Sequence, residues 1–349
     1  MIPILYPKEE TSFTTNGIER LSDSVACVVS ERLNDFYTLE MTYAADGMHA
    51  NEIQTGRLIL ATPSDGGAPQ PFRIYEVTKM LGGTIEVLAN HISYDLSGIP
   101  ARNITGITSA SAAIAALKSR EWFDSGFSYT TDLSVSADWE KRGAFSVRSC
   151  MGGDGSILET YGGEWYYDRY NCQLLEHRGA DNGVSIRYGK NLTELEATSN
   201  DDESYTGVFT YYLSGGTYVS CTDIAYLDSL AVPQKILIID HTSDFQSTPT
   251  KAQLDALASS DLAQIIGVTS SLTVSFAPLW QSEEYKDLLP IERVKLGDYV
   301  TVIYDKYNIS TKLEVVQTDY NVLLDRYDSI ELGAIRPTLA DTIADLSRR

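Results

Sequence analysis

Residues 70–96 carry the pattern that most constrains the fold: two runs of alternating apolar and polar side chains separated by paired glycines. Phe72 and Ile74 alternate with Arg73 and Tyr75, and after Gly82-Gly83 the apolar Ile85 and Val87 flank Glu86. A period of two sends every second side chain to the same face, so the stretch predicts a β-hairpin with one apolar face for a core. The same period runs through Tyr37, Leu39, Met41 and Tyr43 against Thr38, Glu40 and Thr42, with Asp65-Gly66-Gly67 as turn punctuation between the runs. Several strands at this spacing predict a small β-barrel over residues 1–100.

After Pro100 the period changes. Ser109 is placed to cap a helix through Ala112, Ala113, Ile114 and Leu117, and Gly126 returns the chain to extended structure. Residues 101–180 therefore read as an α+β domain. Alternation resumes at Val184, Ile186 and Tyr188, continues through 208–213 and 217–223, and returns at 299–304, 313–316 and 330–332. These stretches predict a second, discontinuous barrel over 181–234 and 291–335. Residues 235–290 read as an inserted α/β domain, with the run Lys235–Asp240, a helix capped by Thr248 with Pro249 as its first residue, and a strand over 272–276. In residues 336–349, Thr338 precedes Asp341 by three, and Leu339, Ile343 and Leu346 fall on one stripe of a C-terminal helix. The expected fold class is mixed β and α+β, with two small β-barrel domains and two α/β domains.

Charge narrows the function. Against 27 basic residues stand 48 acidic ones, a net charge of −21, and a chain this acidic has poor electrostatic grounds for gripping a polyanion. Nucleic-acid binding is not expected. The opening Met1–Lys8 is too short and too interrupted by Pro3 and Pro7 to read as a signal peptide, and no run is long enough to span a bilayer. Cys27, Cys150, Cys172 and Cys221 lie far apart without metal-ligand spacing and read as buried free thiols, the pairing of Cys150 with Cys172 being left open.

Catalytic signatures are sparse. There is no Gly-x-Ser-x-Gly elbow and no His-Glu-x-x-His, and His49, His91, His177 and His241 are not at metal-ligand spacing from one another. Asp240, His241 and Asp244 form one His-carboxylate cluster. Asp154, Glu159, Glu164 and Asp168 lie in an aromatic-rich stretch where a carboxylate pair for glycoside hydrolysis would have to be sought. Gly152-Gly-Asp-Gly155 lacks the Gly-Lys-Ser/Thr of a phosphate loop and reads as a turn. Trp165, Tyr166 and Tyr167 would suit glycan stacking or, equally, a core. The expectation is no catalytic residue, no cofactor and no metal site.

Segments spread along the chain in consistent order carry a family resemblance. Gln70-Pro-Phe-Arg-Ile-Tyr-Glu-Val77 and Ala89-Asn-His-Ile-Ser-Tyr-Asp-Leu96 resemble the hallmark of phage minor structural proteins of the prophage endopeptidase tail group. So do Val28–Glu40, Gly155–Trp165, Arg178–Leu192, Leu296–Val302 and Tyr327–Gly333. The resemblance implies a tail-tip or baseplate hub protein, a homotrimer at the distal end of a tail tube. Its implied partners are the distal tail protein ring, the tape-measure protein and a receptor-binding protein or fibre. It also implies assembly in a bacterial cytoplasm, a final place in the virion, and no membrane insertion. Two alternatives stay open: a tail-associated peptidoglycan hydrolase whose catalytic module is absent here, and a glycan-binding adhesin. The hub reading makes Leu339, Ile343 and Leu346 an oligomer interface.

Overall fold

The computed structural model describes residues 2–153, 155–187, 192–200, 205–227, 229, 234–245, 247–262, 269–276, 293–304, 306 and 309–333. The fold is mixed and β-rich with few helices. It divides into two compact units, one of residues 1–196 and 272–335, the other of residues 197–271 and 336–349. The C-terminal stripe of Leu339, Ile343 and Leu346 lies outside the described residues.

The larger unit is built on a sheet of thirteen strands among the described residues. The hairpin read from sequence is there: Gln70–Lys79 pairs antiparallel with Thr84–His91, with Phe72 opposite His91 and Val77 opposite Val87. Thr84–His91 in turn pairs with Tyr37–Ala44, which pairs with Ser24–Arg32. The buried residues of Tyr37–Ala44 are Tyr37, Leu39, Met41 and Tyr43, the alternate set that the period of two selects. The strands assigned to two barrels then meet in one sheet. Ser24–Arg32 pairs antiparallel with Ile309–Asn321, Gln317 opposite Arg32 and Asn321 opposite Val28. Ile309–Asn321 also carries Tyr299–Tyr304 and Arg326–Gly333 as antiparallel neighbours, and Val184–Arg187 runs parallel to Tyr299–Tyr304. One apolar core accordingly draws Leu39, Val87, Ile186, Val302 and Leu332 together from both halves of the chain.

Leu58–Ala61 is buried at all four positions, unlike a half-exposed strand, because both of its faces are covered. Ile59 and Ala61 join the sheet core, while Leu58 and Leu60 join a second core beneath the helical region. That second core holds Ala113, Ile114 and Leu117 of the helix Ala110–Arg120. Ser109 caps this helix as its sequence predicts, its hydroxyl accepting from the Ala112 N–H at 3.3 Å. Packed with it is a three-stranded sheet in which Asn171–Leu175 lies between parallel Ser128–Thr131 and antiparallel Glu164–Asp168. All four cysteines are buried and free; burial pushes the Cys150 thiol up to about 11 and the Cys27 thiol up to about 12.

In the smaller unit, Gly207–Ser214 pairs antiparallel with Thr217–Ser220 and Ala225–Tyr226 and parallel with Ile236–Asp240. The helix Lys251–Leu262 supplies Leu254 and Ala258 to its two small cores. Three readings change here. Residues 207–220, read as barrel strands, belong to this separate sheet, because alternation identifies a strand without naming its partner. Residues 272–274, read as closing the inserted domain, pair instead with Arg326–Gly333 in the large sheet. The helix cap is Thr250 rather than Thr248. Gln253, three residues on, exchanges bonds with it: the Thr250 N–H donates to Gln253 Oε1 at 2.9 Å, and the Gln253 N–H donates to Thr250 Oγ1 at 3.4 Å.

Candidate functional site

The two hallmark segments meet around a buried histidine. His91 Nδ1 accepts from the Ser93 N–H at 3.2 Å, which leaves Nε2 to donate to Gln70 Oε1 at 3.3 Å. The ring stacks on Tyr37 at 4.4 Å between centroids. Burial, with Arg148 and Arg178 nearby, holds His91 well below the ordinary histidine range, so it is neutral. Gln70 then reaches the Glu164–Asp168 hairpin. Its Nε2 donates to Asp168 Oδ1 at 3.0 Å, and its Oε1 accepts from the Arg169 N–H at 2.6 Å. Arg73 of the first segment holds Asp95 of the second through Nε at 2.9 Å and Nη2 at 2.7 Å, with Nη1 on the Gly56 carbonyl. Arg148 stands 3.7 Å from the centre of the Tyr94 ring. What the hallmark encodes is therefore a set of polar clamps that dock the hairpin on the large sheet.

Beside these clamps lies a cavity of about 380 Å³ whose lining includes Glu31, Tyr37, Gln70, Tyr166, Arg178 and Asp298. Arg178 crosses it to Glu31 with two bonds, at 2.6 and 3.1 Å, under the Tyr166 ring at 4.8 Å. Burial opposes the Arg178 charge, yet Glu31 outweighs it and holds the guanidinium above its ordinary value. The backbone next to Arg178 is pressed against the Gly297-Asp298 turn. A Cβ at Gly179 would overlap the Gly297 carbonyl group, and the Ala180 N–H donates to Asp298 Oδ1 at 2.8 Å. The motif residues Arg178-Gly179 and Gly297-Asp298 thus form one contact.

At the end of the hairpin, three titratable groups converge. His177 Nδ1 is 3.0 Å from Glu164 Oε1 and 3.7 Å from Glu314 Oε1, and the Arg178 N–H donates to Glu164 Oε2 at 2.6 Å. His49 meets Glu19 at 3.3 Å. His241 does lie among carboxylates, but only partly those expected: Asp244 at 2.6 Å on Nδ1 and Asp261, from the helix Lys251–Leu262, at 2.9 Å on Nε2. Asp240 instead accepts from Thr242. Burial works against the His241 charge, but its hydrogen bonds to Asp261 and Asp244 raise it above the ordinary value.

The other expected carboxylates are dispersed in local roles. Glu159 accepts from the Gly155 N–H, Asp168 holds Gln70, and Asp154 lies outside the described residues. Trp165 is buried and donates to the Met151 carbonyl at 3.0 Å, and Tyr167 stacks on it at 6.1 Å. Trp165 is part of the core beneath the helical region with Tyr167 packed against it, while Tyr166 lines the cavity. Sequence reasoning missed Glu31, Asp261 and Glu314, whose partners lie far off along the chain.

The fold so assembled is that of prophage tail proteins. Across 99% of this chain and 98% of the other, it matches the prophage tail protein gp18 from Listeria monocytogenes EGD-e, at 16% identity and a TM-score of 0.59. It matches the tail protein from Neisseria meningitidis MC58 over 99% of both chains, at 12% identity and a TM-score of 0.61. The 43 kDa tail protein of prophage MuSo2 from Shewanella oneidensis matches over 98% of this chain and 99% of that one, at 13% identity and a TM-score of 0.65. Residues 180–343 match the family described as prophage endopeptidase tail. No curated protein is similar enough in sequence to count as a match.

Proposed function

We propose that this chain is a tail-tip or baseplate hub protein, a homotrimer that closes the distal end of a tail tube and links it to the receptor-binding or wall-penetrating tip. The supporting observation is the end-to-end correspondence with prophage tail proteins, 98–99% of both chains in each comparison. The chain spans what those proteins span. Its best-developed interior features, the His91–Gln70 clamp and the Arg178–Glu31 pair, join parts of one scaffold. The net charge of −21 suits a passage that releases DNA without holding it. In this reading the distal tail protein ring and the tape-measure protein are the partners, and a fibre or receptor-binding protein continues below.

Light scattering of the full chain mixed with its distal tail protein tests the reading, with a trimer as the expected mass. A chain that stays monomeric within an assembled tail defeats it. Zymography on purified cell wall should give no clearing; clearing abolished by Glu164→Ala or Asp240→Ala would move the protein to the hydrolases.

A further inference from the structure

Glu164, His177 and Glu314 come from three places: a strand of the small sheet, the segment after its neighbouring strand, and the strand Ile309–Asn321 of the large sheet. Their ligand-type atoms, one per residue, all lie within 4.8 Å of one another. Donors bound about 2.0–2.2 Å from one divalent ion stand roughly 3.0–3.4 Å apart at tetrahedral to right-angled geometry. The imidazole-to-carboxylate spacings here, 3.0 and 3.7 Å, are close to that.

Glu314 adds an independent sign of a ligand. The residue is 9% exposed, and its Oε1, the atom facing His177, has no hydrogen-bond partner among the described residues, nor has His177 Nε2. Buried carboxylate oxygens are rarely left so, and coordination to a cation satisfies one directly. Nearby cations are committed elsewhere: Arg178 to Glu31, and Lys312 to Asp181. Glu164 is held by the Arg178 N–H and the His177 ring stacks on Tyr299 at 5.0 Å, the kind of outer support that orients metal ligands.

We propose that Glu164, His177 and Glu314 bind a divalent transition-metal ion. An imidazole among two carboxylates favours Zn²⁺ or Mn²⁺ over Ca²⁺ and Mg²⁺, which prefer all-oxygen sets. The ion ties the hairpin to the strand Ile309–Asn321, a structural staple at the junction between early and late parts of the chain. The spacing rules that exclude a metal in the sequence do not reach ligands drawn from three separate elements.

The test uses the full chain stripped with chelator and titrated calorimetrically with ZnCl₂, then with CaCl₂, while Co²⁺ absorption reports the ligand set. One equivalent of Zn²⁺ is expected, with Ca²⁺ binding far weaker. Glu314→Gln and His177→Asn should each weaken Zn²⁺ by more than about 100-fold, beyond the loss typical of an outer-shell partner. The metal-free melting temperature of Glu314→Gln should stay at or above that of the parent, since a facing carboxylate charge is removed. Absence of saturable Zn²⁺ binding overturns the proposal. So does binding that survives Glu314→Gln and His177→Asn, or that His49→Ala abolishes instead.

Discussion

Replacing Arg178 with Met keeps most of the side-chain volume in the cavity wall and removes the charge opposite Glu31. The remaining carboxylate is 5% exposed, and both of its bonds from Arg178, at 2.6 and 3.1 Å, are lost. Leaving one member of a buried pair without its partner costs about 3–5 kcal/mol, to which the lost contact with the Tyr166 ring adds about 0.5–2 kcal/mol. For a unit of this size each kcal/mol moves the melting temperature by roughly 2–4 °C, so the single change should lower it by about 7–28 °C. Urea unfolding followed by tryptophan fluorescence reads this directly, because Trp165 neighbours Tyr166 in the same strand. The double variant Glu31→Leu, Arg178→Met removes both desolvation costs and should recover most of the loss, as apolar replacements of buried pairs do. A single variant within about 1 kcal/mol of the parent, or a double variant whose loss equals the sum of the two singles, refutes the argument.

Gly179→Ala should be among the most damaging small changes in the chain, since its methyl meets the Gly297 backbone; a soluble, cooperatively melting Gly179→Ala protein would contradict the packing. Ser109→Ala should cost about 1 kcal/mol through loss of the helix cap, measured by chemical denaturation. His241 has a raised folded-state pKa, so its contribution is fully present below about pH 6.5, the unfolded value, and is lost as pH rises through the folded value. The smaller unit should therefore loosen toward alkaline pH by hydrogen exchange, and His241→Gln should flatten that slope. Converting Ile343 and Leu346 together to Asp should weaken trimer assembly while leaving the far-ultraviolet spectrum unchanged; light scattering decides it.

Local features were the legible ones. Ser109 could be read as a cap because the hydroxyl and the helix it serves are three residues apart, and the hairpin at Gly82-Gly83 because turn and alternation are neighbours. Thr250 was misassigned by two residues because Thr248-Pro249 is an equally good helix opening; the side chain of Gln253 decided between them. Parallel pairing of Gly207–Ser214 with Ile236–Asp240 has no sequence mark, since both strands merely alternate. Glu31 with Arg178, His241 with Asp261, and Glu314 with His177 are each pairs whose partners only the fold brings within reach. Tyr6, Tyr43 and Tyr320 are among the largest fully buried side chains. Aromatic content reports a wide β core as readily as a binding surface.

The pairing of Ser24–Arg32 with Ile309–Asn321 sets a clock on biosynthesis. Ser30 bonds Asp319 across that seam, 289 residues later in the chain. A ribosome adding 5–20 residues per second needs roughly 15–60 s to bridge the interval. Throughout it, the edge of the nascent N-terminal sheet that awaits Ile309–Asn321 stays unpaired, an invitation to pair with another chain. A polypeptide interrupted before residue 309 lacks the strand that closes that edge, so a truncated copy keeps the edge open to pairing with another chain.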